Sequence, residues 1–403
     1  MSHSNDIIIV GGGMVGACMA LAAAREGFQV TLLEPRQPSL DWPGDDFDIR
    51  VSALTRTSET ILRNLDVWSG MQERCVTAYE NMHVWDRKGF GEIHFTAEDV
   101  GAPNLGHIVE NRVIVAGLWE QINQHANITH VADFAIVSIE RDGDQTNLIS
   151  SHDDVLTASL VIGADGARSS VRELVGLTTS TSSYDQEGVV CTVKAEQGNA
   201  STAWQRFMPS GPLALLPMNE DHFSIVWSTS PEHAQSLVNS TEESFNQELT
   251  QASENVCGML RVIGDRAAFP LRKLKAKRYV VDGVALIGDA AHVIHPLAGQ
   301  GVNLGILDAA MLIDVLIEAR AHRESIGGMG VLRRYERARK GHNLAVQSAM
   351  DGFKHLFSNN NPALTLLRNV GLGVAHHISP LRRQFERVAL GEGVSLPSLG
   401  KRL

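Results

Sequence analysis

Residues Ile7 to Val10, followed at once by Gly11-Gly12-Gly13-Met14-Val15-Gly16, leave this chain few ways to fold. The β-branched run reads as a buried strand, the glycines as a tight turn, and the Ala-rich stretch Ala17 to Arg25 as a helix. Gly11 permits the turn and Gly13 lets backbone N–H groups approach a pyrophosphate. Gly16 lets the helix lie close on the strand, its N-terminus towards the phosphates. A second strand, Val30 to Leu33, ends in Glu34, 18 residues beyond Gly16. A carboxylate there accepts hydrogen bonds from a ribose hydroxyl and repels a 2′-phosphate, so the site suits an unphosphorylated adenosine ribose. The glycine spacing alone is weak evidence; strand, helix and acid together make it specific.

Two more segments share the strand-then-loop shape. Leu160-Val161-Ile162-Gly163-Ala164-Asp165-Gly166 is a buried strand ending in Asp-Gly, with Ser169 and Arg172 where a helix begins. Val284 to Ile287 leads into Gly288-Asp289-Ala290-Ala291-His292, continued by Pro296, Gly299, Gln300, Gly301 and Asn303. An Asp at a strand end, over a helix N-terminus, faces ligand in open α/β sheets. Motifs over 250 residues apart in the chain are thus expected to grip one cofactor. Between them, the loop Pro35 to Asp48 precedes Arg50 and an expected helical stretch from Ser52 to Leu65. The guanidinium fork of Arg50 suits a pyrophosphate, although spacing alone fits a surface arginine equally well.

Residues of about 180 to 275 change character. Alternation in Val189 to Lys194, Ala203 to Met208 and Phe223 to Trp227 argues for antiparallel strands of a second unit covering the cofactor. Leu213 to Pro217 reads as an apolar strand, either core or pocket lining. No internal repeat is visible.

Hydrophobic content of 43% and charged content of 20% fit a globular protein, and a net charge of −11 argues against nucleic acid as partner. Residues 7 to 24 are nearly all apolar, but Asp6 ahead of them and the glycines within argue against a targeting or membrane segment. From Asn361 to Leu403 six basic residues meet two acidic ones among leucines and valines. That tail fits either an anionic membrane surface or helices lying on their own core. The four cysteines show no metal spacing and read as reduced thiols of a cytoplasmic protein. His292 and His295 are too little for a metal site, so none is expected.

The three segments GGGMVGA, VIGADGARSSVR and IGDAAHVIHPLAGQGVNLG, in this order, resemble the flavoprotein hydroxylases of the p-hydroxybenzoate hydroxylase type. Arg50-Val51-Ser52-Ala53-Leu54, Gly106-His107-Ile108-Val109-Glu110-Asn111 and Leu332-Arg333-Arg334-Tyr335-Glu336-Arg337 are similar to the ubiquinone-biosynthesis branch. Asn81 to Asp86 and Ser224 to Ser228 look most like the members that hydroxylate 2-polyprenylphenol; sister members act on methoxylated or demethoxy intermediates. The resemblance implies an α/β fold: a Rossmann-like FAD-binding domain (residues 1–75, 105–178 and 279–345) interleaved with a mainly antiparallel β-sheet substrate domain (76–104 and 179–278), plus a C-terminal helical region (346–403).

By the same resemblance, Gly11, Gly13, Gly16 and Glu34 hold the ADP half of FAD, Arg50 meets the pyrophosphate, Asn111 touches the ribityl or ring region, and Asp289 binds a ribityl hydroxyl. Asp165 and Gly166, with Ser169 and Arg172, belong to a motif shared with the pyridine nucleotide. Gly288, Gly299, Gly301 and Asn303 complete the cofactor set, and Pro296 and Gln300 are the candidates facing the reactive edge of the flavin. The resemblance further implies that NAD(P)H or another donor reduces the flavin and that one oxygen atom of O2 passes to a polyprenylated phenol through a flavin C4a-hydroperoxide. Reduced flavin is anionic, so a helix starting near Gly299-Gln300-Gly301 would stabilise it through its N-terminal dipole. Peripheral contact with the inner face of the cytoplasmic membrane, membership of a ubiquinone-biosynthesis complex and homo-oligomers are compatible with this reading. A flavin-dependent prenyl reductase and a non-catalytic flavin-binding protein are the rivals; the tryptophan-rich segment of a halogenase is missing.

Overall fold

The computed structural model describes residues 5–43, 47–86, 92–294, 301–357 and 396–401. In chain order the first strands are β1 (Asn5–Val10), β2 (Val30–Leu33), β3 (Val51–Leu54), β4 (Thr77–Tyr79), β5 (Asn81–Asp86), β6 (Glu92–Thr96) and β7 (Gly106–Glu110). They are followed by β8 (Ile128–Val131), β9 (Ile136–Asp142), β10 (Gln145–Ser150), β11 (Val155–Gly163), β12 (Thr179–Ala195) and β13 (Thr202–Met208). The last are β14 (Gly211–Pro217), β15 (His222–Thr229), β16 (Leu260–Ala276), β17 (Val280–Val281), β18 (Val284–Leu286) and β19 (His292–Val293). The helices are α1 (Met14–Arg25), α2 (Arg56–Asn64), α3 (Trp68–Arg74), α4 (Asn111–Ile122) and α5 (Ser170–Leu174). After the middle strands come α6 (Pro231–Asn239), α7 (Glu242–Ala252), α8 (Gly301–Ala321) and α9 (Met329–Phe357).

One sheet runs in the order β17-β18-β11-β1-β2-β8, with β1 parallel to both β2 and β11, and β11 parallel to β18. Ile7, Ile8 and Ile9 are wholly buried between layers that include the alanines of α1 and the apolar face of α8. Parallel strands covered on both faces read as unbroken β-branched runs, which is why these were legible. The register sets Val10 beside Gly163, and Gly163 beside Leu286. All three glycine-bearing motifs therefore leave the sheet at the same edge, outside the carboxyl ends of adjacent strands, where open α/β sheets bind their ligands.

A second sheet runs in the order β19-β16-β12-β15-β14-β13-β5-β6. Its strands β12, β13 and β15 contain the three alternating stretches, and β12–β15, β14–β15 and β13–β14 pair antiparallel. Odd-numbered residues of β12 and β15, such as Val189, Cys191, Phe223 and Trp227, form a core with Leu237 of α6 and Phe245 of α7. The opposite face meets the small sheet β3-β7-β4: Ala214, Leu216 and Met218 cluster with Ala53 and Ile108. The apolar strand β14 thus divides its residues between two layers, Leu213 and Leu215 to one and Ala214 and Leu216 to the other.

One expectation needs correcting. Residues 51–54 do not begin a helix; they form β3, antiparallel to β7, with Val51 opposite Glu110. The helix starts at Arg56, where the side chain of Thr55 accepts a hydrogen bond from the Ser58 N–H. Pairing with a strand over fifty residues away outweighs the local helical pattern.

Candidate cofactor site

At the first motif, Gly11 has φ +102°, and a Cβ there would lie 2.5 Å from the Ala164 carbonyl oxygen of the second motif. A Cβ on Gly16 would lie 1.9 Å from the Gly11 oxygen, so only glycine lets α1 start this close to the sheet. A Cβ on Gly13, by contrast, would meet nothing within 4 Å. Gly13 is the N-cap of α1 and no side chain caps the helix, so the first-turn N–H groups point into open space, as an anion site requires. Gly12, which spacing did not single out, is pinned: its N–H donates to Glu34 Oε2 at 2.7 Å and its carbonyl accepts from Trp119 Nε1 at 2.8 Å. Glu34 is thereby fixed at the turn with lone pairs to spare for a ribose.

The third motif meets the first through Val15. Its Cγ atoms fill the space beside Gly288 and Gly305, where a Cβ would stand 3.2 Å and 2.4 Å away. Gly288 has φ +58° and donates its N–H to Asp308 Oδ2 at 3.1 Å. The Asp289 side chain is solvent-accessible yet ringed by protein, which pushes its carboxyl up while His292 pulls it down. Behind this turn lies a buried polar network absent from the sequence reading. Asp308 receives His292 Nε2 at 2.5 Å, Arg339 Nε at 2.7 Å and Asn343 Nδ2 at 3.1 Å. Burial opposes the charge on Asp308, but His292 and Arg339 outweigh it and hold the carboxyl far below the usual range. Tyr335 adds a hydrogen bond to the Leu286 carbonyl at 2.9 Å, so α9 braces the whole strand-to-turn segment.

The second motif is partly self-contained. Asp165 Oδ2 accepts from Ser170 Oγ at 3.0 Å and the Val171 N–H at 3.1 Å, capping α5, while Oδ1 is buried without a partner among the described residues. Gly166 has φ +78° and open space around it. Ser169 is the N-cap of α5. Arg172 is a strut: buried, it donates to the Ala290 carbonyl at 2.9 Å and the Ala167 carbonyl at 2.9 Å, tying second motif to third. Arg172, which the resemblance expects in the motif shared with a nucleotide, thus has its guanidinium bonded within the fold.

Asn303, expected in the cofactor set, is also bonded within the fold. Its Oδ1 accepts from the Thr55 N–H at 3.0 Å and Ser58 Oγ at 2.7 Å, and its Nδ2 donates to the Ala53 carbonyl at 2.7 Å. A buried amide so occupied clamps α8 to the start of α2 and has little left for a ligand. Asn111 opens α4 with its Oδ1 taking the Ser52 hydroxyl at 2.7 Å, and its N–H donates to the Arg50 carbonyl at 2.9 Å. The Arg50 side chain is exposed. A cleft nearby is lined by Trp42, Phe47, Arg74, Glu110 and Asn219 among others. Burial raises Glu110 in it, against the Asp48 N–H and Arg112. Gly301 opens α8 with free space about it. Pro296, Gly299, Gln300 and His295 lie outside the described residues.

Open backbone at Gly13, an orphaned carboxylate oxygen at Asp165 and an accessible acid at Asp289 converge where three strands end, and this fits an extended dinucleotide. A family model described as FAD binding domain matches residues 4–350. The 3-demethoxyubiquinol 3-hydroxylase of Escherichia coli (strain K12) is 38% identical over 390 residues, covering 97% of this chain and 99% of that protein. The mitochondrial ubiquinone biosynthesis monooxygenase COQ6 of Danio rerio is 34% identical over 427 residues, covering 94% of this chain and 88% of that one. In fold, p-nitrophenol 4-monooxygenase PnpA from Pseudomonas putida DLL-E4 superposes with a TM-score of 0.76 at 18% identity, over 97% of this chain and 99% of that chain. The protein belongs to the FAD-dependent monooxygenases, and within them to the ubiquinone-biosynthesis hydroxylases.

Proposed function

We propose that this protein hydroxylates the ring of a polyprenylated demethoxy intermediate of ubiquinone biosynthesis, using O2 and a reductant such as NAD(P)H. The reading rests on one observation above all: 38% identity, end to end, with a protein named 3-demethoxyubiquinol 3-hydroxylase. Short stretches of sequence favoured 2-polyprenylphenol; similarity along the whole chain favours the later substrate.

FAD, when bound, supplies the electrons and the oxygen activation. The chain's own residues bind, orient and exclude. Gly11, Gly13 and Gly16 with the N-terminus of α1 would take the pyrophosphate, Arg50 would approach it, Glu34 the adenosine ribose and Asp289 a ribityl hydroxyl. Ala53, Ile108, Ala214, Leu216 and Met218 form an apolar layer between the two sheets. Such a layer keeps water from the reacting ring and favours a prenyl tail, each buried CH2 contributing about 0.8 kcal/mol.

The test is a competition. FAD-loaded protein with reductant and air would receive equal amounts of a short-chain demethoxyubiquinol and a short-chain 2-prenylphenol. Preferential gain of 16 mass units by the demethoxyubiquinol is expected (one oxygen atom, by composition); preference for the 2-prenylphenol would return the assignment to the earlier step.

A further inference from the structure

We propose that Thr192 and Ser224 form a polar subsite that receives a ring oxygen of the aromatic substrate. Each is only 1% exposed, and neither hydroxyl has a hydrogen-bond partner among the described residues. Buried hydroxyls are nearly always satisfied, so two orphans side by side need an explanation. They are side by side: Thr192 of β12 is directly opposite Ser224 of β15, and Ser224 is opposite Leu216 of β14.

Strand alternation fixes the face they occupy. Their neighbours Cys191, Val193, Phe223 and Ile225 lie in the core beneath α6 and α7. Thr192 and Ser224 therefore point the other way, with Leu216, into the layer shared with Ala53 and Ile108. The sheet is also irregular here. Pairing of β12 with β16 slips between Val190 and Thr192, from Ala267 to Ile263, around Gly264 at φ +70°. Such bulges often lie beside binding sites, where they re-aim side chains.

Two hydroxyls beside the apolar side chains of this layer, with Gln205 opposite Ala214 on the same face, match a small-molecule site: largely apolar walls with a few placed polar groups. Hydroxyls both donate and accept, so the pair suits a phenolic or quinol oxygen, and neither carries the charge a carboxylate would demand. This subsite rests on the proposed function, since a prenylated ring with oxygen substituents is the ligand it fits.

The experiment uses the FAD-loaded protein, a short-chain prenylated methoxyphenol and the matched methyl ether that lacks the free hydroxyl. Binding is read calorimetrically, and thermal midpoints are taken alongside. Wild type is expected to prefer the phenol. Thr192→Val and Ser224→Ala should each weaken the phenol about tenfold while leaving the ether unchanged, and Thr192→Ser should retain most of the affinity. Midpoints should hold or rise, because removing an orphaned buried hydroxyl relieves the fold. Equal binding of phenol and ether by wild type, or unchanged phenol affinity in the double variant, would overturn the subsite. A wild type that discriminates the two but never hydroxylates the phenol would overturn the function and leave the subsite standing.

Discussion

Asp308 is the residue on which the third motif depends: it is fully buried and bonded to His292, Arg339, Asn343 and the Gly288 N–H. Asp308→Asn would leave Arg339 buried opposite a neutral amide, a change that costs about 3–5 kcal/mol, and should lower the thermal midpoint and loosen FAD. Its folded pKa lies below the unfolded value, so its contribution is complete above the ordinary carboxylate range and erodes as pH falls below about 4. Acid unfolding of the Asn variant should show a flatter pH dependence there. His107 works in a different window. Desolvation lowers it to about 4 from 6.5, against the pull of Glu59, so it is buried neutral. The unfolded chain binds that proton first, so stability should decline as pH falls from about 6.5 to about 4, and His107→Gln should lessen the slope. Asp289→Ala tests the cofactor contact: FAD affinity should fall about tenfold to a hundredfold, the range for a hydrogen bond to a charged group. Full retention of FAD would remove Asp289 from the site.

Among elements, the junction of α1 with α8 decides whether the motifs stay together. A Cβ on Gly305 would stand 2.4 Å from Val15 Cγ2, and the Cγ atoms of Val15 also abut Gly288. Gly305→Ala gains about 1 kcal/mol of helix propensity but overpacks the contact, so a net loss of about 1–2 kcal/mol is expected in denaturant unfolding. Adding Val15→Ala should restore part of it; a Gly305→Ala protein more stable than wild type would refute the contact. The elements that sequence reading located are those whose pattern is local: buried runs ending at glycine, Glu34 or Asp-Gly for β1, β2, β11 and β18, an Ala-rich stretch for α1, and alternation for β12, β13 and β15. It missed β3 because that strand exists through its pairing with β7, and no periodicity within residues 51–54 reports a partner at residues 107–110.

On the scale of the whole molecule, three motifs spread over the sequence converge because β1, β11 and β18 lie side by side. Their order was legible; what braces them was not. Asp308 is a lone acid on the buried face of α8, and Arg339 and Asn343 stand one turn apart on α9. A charge in so apolar a helix is a usable signal, but its partners come from a different element. Thr192 and Ser224 look like ordinary strand residues until the register places them together. Expectations for the basic tail lie largely outside the described residues, and no described helix is long and apolar enough to cross a membrane. The central claim, that this family member inserts oxygen from O2 into an aromatic ring, is tested most directly under 18O-labelled oxygen gas. FAD-loaded protein, reductant and a short-chain demethoxyubiquinol should give product carrying one labelled atom on the ring. Reductant consumed, peroxide released and no label in the ring would contradict it.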